Sequence, residues 1–258
     1  MENKNTFTQK VDLYPIIFKR KSIRNYEDSH LDDDTLIEVS DAISNLIPLY
    51  TDIKTEIKIV SSDDVNQRII MKKAPHYLAV FSETKKGYLT NVGFMLQQMD
   101  LLFSANGIGS CWQGIPVPYG DVLKSSELKF VILIAFGKST EPLYRKSTSE
   151  FKRKPLKEIS DIEGADELLE PARLAPSATN SQPWFFKCDE STIRAYSVKP
   201  NFLKAKLFSK FVPIDMGIAL YHLKVAAEHL GKNPDIFFDE KEEKNSPRGY
   251  EYFATLKL

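Results

Sequence analysis

The chain has 258 residues, of which 42% are hydrophobic, 27% charged and 11% aromatic, the balance of a folded globular protein rather than a disordered, collagen-like or coiled-coil one. Lys and Arg total 35 and Asp and Glu total 35, a formal net charge of +0, so no global field favours nucleic acid or anionic lipid, and a small or neutral partner is expected. The longest apolar run, Phe130 to Phe136, falls far short of the ~20 residues that cross a bilayer, the N-terminal MENKNTFTQK has no apolar signal core, and two cysteines (Cys111, Cys188) and four scattered histidines offer neither a disulfide framework nor a metal spacing; the expectation is a cytoplasmic protein without metal.

The predicted elements fall into a pattern that occurs twice. Lys19 to Arg24 (KRKSIR) holds four basic residues in six, and Thr35-Leu-Ile-Glu38 opens a helix behind acidic residues, which suit a helix N-terminus. Glu56 to Val60 and Tyr77 to Phe81 read as strands. Tyr88 to Gly107 reads as a helix ended by glycine, apolar on most faces (Val92, Met95, Leu96, Met99, Leu102, Phe103) and therefore buried. Lys129 to Phe136 reads as a further strand, and the halves join near Lys138 to Ile159, a stretch that is basic from Lys138 to Lys157. Glu167-Leu-Leu-Glu170 then opens a helix from about Ala165 to Ala175, followed by strands at Trp184 to Lys187 and Ile193 to Val198, an apolar helix at Phe211 to Gly231, and strands at Asp235 to Phe238 and Tyr250 to Leu258. Gly93 and Gly217 lie 124 residues apart, as do Gly107 and Gly231, and the two helix openings lie 132 apart. This spacing predicts two related α+β halves, 1–150 and 151–258.

Arg173 to Phe186 reads RLAPSATNSQPWFF. The helix stops at Pro176, a small-polar loop of Ser177, Ala178, Thr179, Asn180 and Ser181 follows, and a strand restarts at Pro183-Trp184. Side chains of this kind suit hydrogen bonding to the edge of a flat heterocycle; they equally suit a polar turn. The two basic patches suit a phosphate or plain solvation.

Leu168 to Phe186 (LLEPARLAPSATNSQPWFF) resembles the helix-loop-strand signature of the FMN-dependent nitroreductase family. Arg20-Lys-Ser-Ile-Arg24 followed by Tyr26 is similar to that family's phosphate motif, Gly107 to Gly114 (GIGSCWQG) to the segment whose backbone faces flavin N5 and O4, and Arg153-Lys-Pro-Leu156 to its closing phosphate segment. The resemblance covers most of the chain, with one departure: 155 residues separate Ser22 from Ser177, and each half lacks the motif the other keeps. Ile43 to Tyr50 (ISNLIPLY) stands where a first loop would fall, and Lys152 to Leu156 (KRKPL) where a second phosphate motif would fall. In this the chain resembles the internally duplicated, TM1586-like branch of the family, which implies a nitroreductase-like α+β fold with the halves as an intramolecular pseudo-dimer and one composite site between them.

The resemblance implies FMN as cofactor, NADH or NADPH and a small electrophilic acceptor such as a nitroaromatic or quinone as partners, hydride passing through flavin N5, no catalytic side chain, and a monomer or weak homodimer. It gives Arg20 and Arg24 to the phosphate, Lys21 and Ser22 to phosphate and ribityl oxygens, and Arg153 or Lys154 as a further cation. Pro176, Ser177, Ala178 and Asn180 would cover the ring, Gln182 would support the loop, and the backbone N–H groups of Gln113 and Gly114 would face N5 and O4. A binding protein of the same fold without turnover (a flavin reservoir, a sensor or a degenerate scaffold) is the alternative. Cys111, in an apolar segment, is expected to be a buried small hydrophobe.

Overall fold

A computed structural model describes residue 7 and residues 11–66, 73–189, 192–199 and 210–258; apart from Phe7, the segment read above for a signal core lies outside the described residues. Contacts divide the chain into two units, Met1–Tyr88 with Gln98–Thr148, and Leu89–Gln97 with Ser149–Leu258. The helix Tyr88–Ala105 contributes to both.

In the first unit, α1 (Tyr14–Ile17) precedes the basic segment, and α2 (Asp33–Ser44) starts where the Asp32 carboxylate accepts from Thr35 N–H at 2.8 Å, satisfying one of the free donors of its first turn. The apolar FVILIAF run lies in β6 (Lys129–Gly137), which is central to an antiparallel sheet with β1 (Thr55–Ser61), β3 (His76–Ser82) and β4 (Gly109–Gln113) in the order β1-β3-β6-β4. β2 (Val65–Asn66) and β5 (Val117–Pro118) form a small separate pair, and α4 (Gly120–Lys124) follows. Tyr77, Ala79 and Phe81 of β3 and Leu133 and Ala135 of β6 pack with Ile23 and Tyr26 in one cluster. β4 was not expected: Gly109, Ser110 and Gln113 carry little strand propensity, and the stretch is extended because β6 pairs with one of its edges while Ile23 N–H donates to Ser110 O at 2.9 Å on the other.

In the second unit, α5 (Leu156–Ile159) and α6 (Asp166–Arg173) precede β7 (Trp184–Asp189) and β8 (Thr192–Val198); α7 (Val212–His229) leads to β9 (Asp235–Phe237), α8 (Glu240–Lys244) and β10 (Tyr250–Lys257). The sheet runs β7-β8-β10-β9. In both sheets the order is first, second, fourth, third, with a long helix between the second and third strands. With α3 as the helix Tyr88–Ala105, α3 and α7 both end as the sequence predicted, at glycines with φ of 76° (Gly107) and 72° (Gly231).

Residues 90–97 of α3 and 214–223 of α7 are buried throughout, and the two stretches cross at paired glycines. A Cβ on Gly93 would lie 2.1 Å from Ile214 O, and one on Gly217 would lie 2.0 Å from Thr90 O. The contact is reciprocal at the 124-residue spacing read from the sequence, since both Gly93 to Gly217 and Thr90 to Ile214 span that interval. His222 closes the same layer: Nδ1 lies 2.7 Å from Pro171 O of α6 and Nε2 lies 3.1 Å from the Gln97 amide nitrogen. Nδ1 therefore donates and Nε2 accepts, a structural use of a buried histidine.

Candidate functional site

In the basic segment of the first unit every third residue, Arg20, Ile23 and Tyr26, is buried. Ile23 is fully buried, and the Tyr26 hydroxyl, also inward, donates to Ile23 O at 2.7 Å. Arg20, expected on a phosphate, is 1% exposed and pairs through Nε with Asp100 Oδ2 at 3.1 Å. Ser110 Oγ donates to the other carboxylate oxygen at 2.7 Å, and Arg20 Nη2 donates to Ser22 Oγ at 3.2 Å. A buried guanidinium so neutralised belongs to the frame of the segment, since leaving either partner alone in the interior costs several kcal/mol.

Lys21, Arg24 and Asn25 converge on Glu141. Its Oε1 accepts from Arg24 N–H at 3.1 Å and from Asn25 Nδ2 at 3.2 Å, and its Oε2 pairs with Lys21 Nζ at 3.1 Å. The Arg24 N–H, followed by the Lys21 ammonium, holds the Glu141 carboxyl below the usual range. A carboxylate thus occupies a set of donors that would suit any oxyanion. Arg24 itself is exposed; its guanidinium meets only Ser22 O, at 3.5 Å, and no carboxylate among the described residues. Glu141 and Asp100 were missed from sequence, because a single carboxylate carries no motif; Asp100 is nevertheless the only charge in α3.

Gln113 ends β4 with its side chain buried, and Gly114 begins the bend that follows. Strand alternation places Gln113 on the β6 side, because Ser110, three residues earlier, turns outward to Ile23. Gln113 pairs in register with Leu133 of β6. Cys111 is buried as expected, and burial raises its thiol pKa.

In the second unit the loop after α6 is held in an unusual conformation by the Arg153-Lys154 segment. Thr179, Asn180 and Gln182 have φ of 53°, 58° and 48°, a region sparsely used by residues other than glycine and more so by a β-branched one. Arg153 Nε donates to Ala175 O at 3.1 Å and Nη2 to Leu174 O at 3.2 Å, satisfying carbonyls at the end of α6. Its Nη1 donates to Phe151 O at 2.8 Å and to Asn180 Oδ1 at 2.5 Å, while Asn180 Nδ2 donates to Lys152 O at 3.0 Å. Lys154 N–H donates to Gln182 Oε1 at 2.7 Å and Lys154 Nζ to Gln182 O at 2.9 Å; burial lowers the pKa of this ammonium. Gln182, 4% exposed, donates from Nε2 to Asn180 O at 3.1 Å and from its N–H to Ser177 Oγ at 2.9 Å.

Pro176 is buried, Ser177 and Ala178 are half-buried, and Thr179 and Asn180 are exposed. The structure thus brings Arg153, Lys154, Asn180 and Gln182 into one network with Ser177, as a brace for the loop. It also adds Asp215 of α7, whose Oδ1 accepts from Ala178 N–H at 3.0 Å and whose Oδ2 accepts from Ser181 Oγ at 3.4 Å. Burial pushes its carboxyl up to about 7, against the opposing pull of those two donors. The signal that could have found Asp215 is a lone acid in the apolar run FVPIDMGIAL. A shallow groove of about 520 Å³ lined by Ser82 to Lys85 and Glu127 to Lys129 contains none of these residues. Among the described residues no group of His, Cys, Asp and Glu is arranged to hold a metal, and no helix is long and apolar enough to cross a membrane.

No curated protein matches the chain. Its fold is similar to that of a "putative nitroreductase" from Thermotoga maritima, with a TM-score of 0.66 and 21% identity over 100% of this chain and 99% of that one. More partial likenesses include a nitroreductase family protein of Clostridium difficile (TM-score 0.45, 16% identity, 60% of this chain and 99% of that one) and the FMN-dependent nitroreductase NfnB of Mycobacterium smegmatis, solved with NADPH (0.36, 15%, 53% and 94%). A family model described as "Putative TM nitroreductase" matches residues 12–227, most of the chain and both motif-bearing segments, and the chain belongs to that family.

Proposed function

We propose that the chain is an FMN-dependent oxidoreductase that passes hydride from NADH or NADPH to a small electrophile such as a nitroaromatic or a quinone. The observation that carries this reading is the braced loop at Ser177–Gln182, within a family match that spans it. The residues fit an anionic, planar cofactor in two respects. The Lys21, Arg24 and Asn25 donors already hold an oxyanion, the Glu141 carboxylate, and among the described residues the Arg24 guanidinium meets Ser22 O and no carboxylate. The loop, for its part, offers small half-buried residues, Ser177 and Ala178, on a backbone that its own side chains hold in place.

In this reading Arg24 anchors the phosphate, with Lys21 and Ser22 beside it, and Arg20 holds the segment from within. Pro176, Ser177 and Ala178 cover the ring; Arg153, Lys154, Asn180 and Gln182 keep their loop in shape; the bend at Gly114 approaches the ring edge. When bound, the flavin supplies the hydride acceptor and donor at N5. The chain's own part is to bind, orient and exclude water, so no side-chain nucleophile is called for. The reading takes the acceptor to be small and the protein to work in the cytoplasm.

Purified protein titrated with FMN, then assayed for NADH and NADPH oxidation with a nitroaromatic or quinone, tests the proposal. Flavin uptake with acceptor-dependent turnover is expected, and no uptake overturns it. One observation favours a second reading, a flavin-binding protein without turnover: two of the three cations in the basic motif are already paired, Arg20 with Asp100 and Lys21 with Glu141. Flavin uptake with no NAD(P)H oxidation by any acceptor would select it.

A further inference from the structure

α7 carries one carboxylate among the apolar residues of its first turns, and the flavin reading does not use it. Asp215 is 3% exposed and its two oxygens reach the loop at Ala178 N–H and Ser181 Oγ. These contacts lie immediately before and immediately after the consecutive left-handed residues Thr179 and Asn180. Left-handed backbone at such residues is unfavourable and persists only where the surroundings over-determine it. Arg153 and Lys154 fix the loop through Asn180 and Gln182; Asp215 fixes two further positions, Ala178 and Ser181, that those cations do not contact. An apolar side chain at 215 would bury the Ala178 N–H without this acceptor, and an unpaired buried donor is disfavoured more than the bond itself is worth.

We propose that Asp215 is a positioning residue for the loop Ser177–Gln182, holding Ala178 and Ser181 in the conformation that receives the flavin ring. The proposal rests on the flavin reading above and adds to it a residue that acts on the cofactor only through the loop. The hydrogen-bond pattern makes the roles of substitutes distinguishable. Asp215→Asn keeps an acceptor for Ala178 N–H and turns an amide donor toward Ser181 Oγ, which can accept. Asp215→Leu has similar bulk and no acceptor.

The test compares wild type, Asp215→Asn and Asp215→Leu by FMN titration of the apoprotein, by the visible absorbance and reduction potential of bound flavin, and by thermal unfolding without flavin. Asp215→Leu is expected to lose about tenfold or more in FMN affinity, the factor for one buried bond, and to shift the flavin absorbance and potential. Asp215→Asn is expected to stay within about threefold with a wild-type spectrum. Should Asp215→Leu fail to fold, Asp215→Glu carries the same test, because it keeps the carboxylate and displaces the loop by a methylene; weaker binding and a shifted spectrum are expected. A folded Asp215→Leu or Asp215→Glu with wild-type affinity and spectrum overturns the positioning role alone. So does an Asp215→Asn as weak as Asp215→Leu. Wild type that takes up no FMN overturns the flavin reading and this inference with it.

Discussion

Arg20 and Arg24 lie four residues apart and meet opposite fates: Arg20 pairs with Asp100 in the interior, and Arg24 stands exposed. Arg24→Glu is therefore expected to leave stability within about 0.5 kcal/mol, as for an exposed side chain, while lowering FMN affinity by at least about a hundredfold through lost phosphate bonds and added repulsion. Equal flavin content in wild type and variant would remove Arg24 from the phosphate. Glu141→Gln should act in the other direction, binding FMN severalfold more tightly, by about 1 kcal/mol, because the amide keeps an acceptor for Arg24 N–H and releases Lys21; unchanged affinity would show that the Lys21 and Glu141 charges do not face the ligand. Asp215 makes a prediction about pH. Its folded pKa of about 7 stands above the unfolded value of 3.8, so the folded state holds a proton that the unfolded chain has released. The stability this contributes is fully present below pH 3.8 and is lost as pH rises to about 7, with a slope approaching 1.4 kcal/mol per pH unit. Denaturant titrations of wild type and Asp215→Asn across that window should differ in slope by about this amount; parallel curves would place the Asp215 pKa near its unfolded value.

Helices and strands with a strong period were legible in the sequence, and those that depend on a partner were not. β6 announces itself as FVILIAF, and the α3 and α7 boundaries follow from their closing glycines. β4 is extended only because β6 and Ile23 satisfy its backbone, a long-range cause that local propensity does not carry. The loop was legible through its small polar residues, but the brace on it was not, since Arg153, Lys154 and Asp215 lie 27 to 37 residues in sequence from the loop residues they hold. Where α3 and α7 cross, the sequence showed matched glycines and the structure gives their reason, backbone approach too close for any side chain. Gly217→Ala and Gly93→Ala should each lower stability by about 3 kcal/mol or more, since the added methyl meets a carbonyl oxygen of the facing helix rather than a movable side chain. Thermal unfolding measures this, and a loss below about 0.5 kcal/mol would mean that the helices separate easily there.

At the scale of the whole molecule, each unit has its own antiparallel sheet in the same strand order, and the motifs are divided between the units rather than repeated in both. The basic motif at Arg20 to Arg24 is present in the first unit only; the Lys152 to Leu156 stretch of the second has no serine, and its Arg153 and Lys154 are engaged with the loop. The loop at Pro176 to Gln182 is present in the second unit only. The ISNLIPLY segment of the first, where a second loop was expected, has bulky Ile47, Leu49 and Tyr50, and its backbone is tied differently, with Ile47 N–H donating to Gln98 Oε1 at 3.1 Å and Ile47 O accepting from Gln98 Nε2 at 2.7 Å. A chain with one copy of each motif is expected to bind one FMN. Light scattering of the holoprotein, with flavin released by denaturation and quantified against protein concentration, gives mass and stoichiometry together. One flavin per chain in a species of 29.5 kDa, or one per chain in a dimer, agrees with the division of motifs. Two per chain would mean that ISNLIPLY and KRKPL also serve a flavin despite their bulk and their internal bonds, and one per two chains would mean that a single chain does not complete a site.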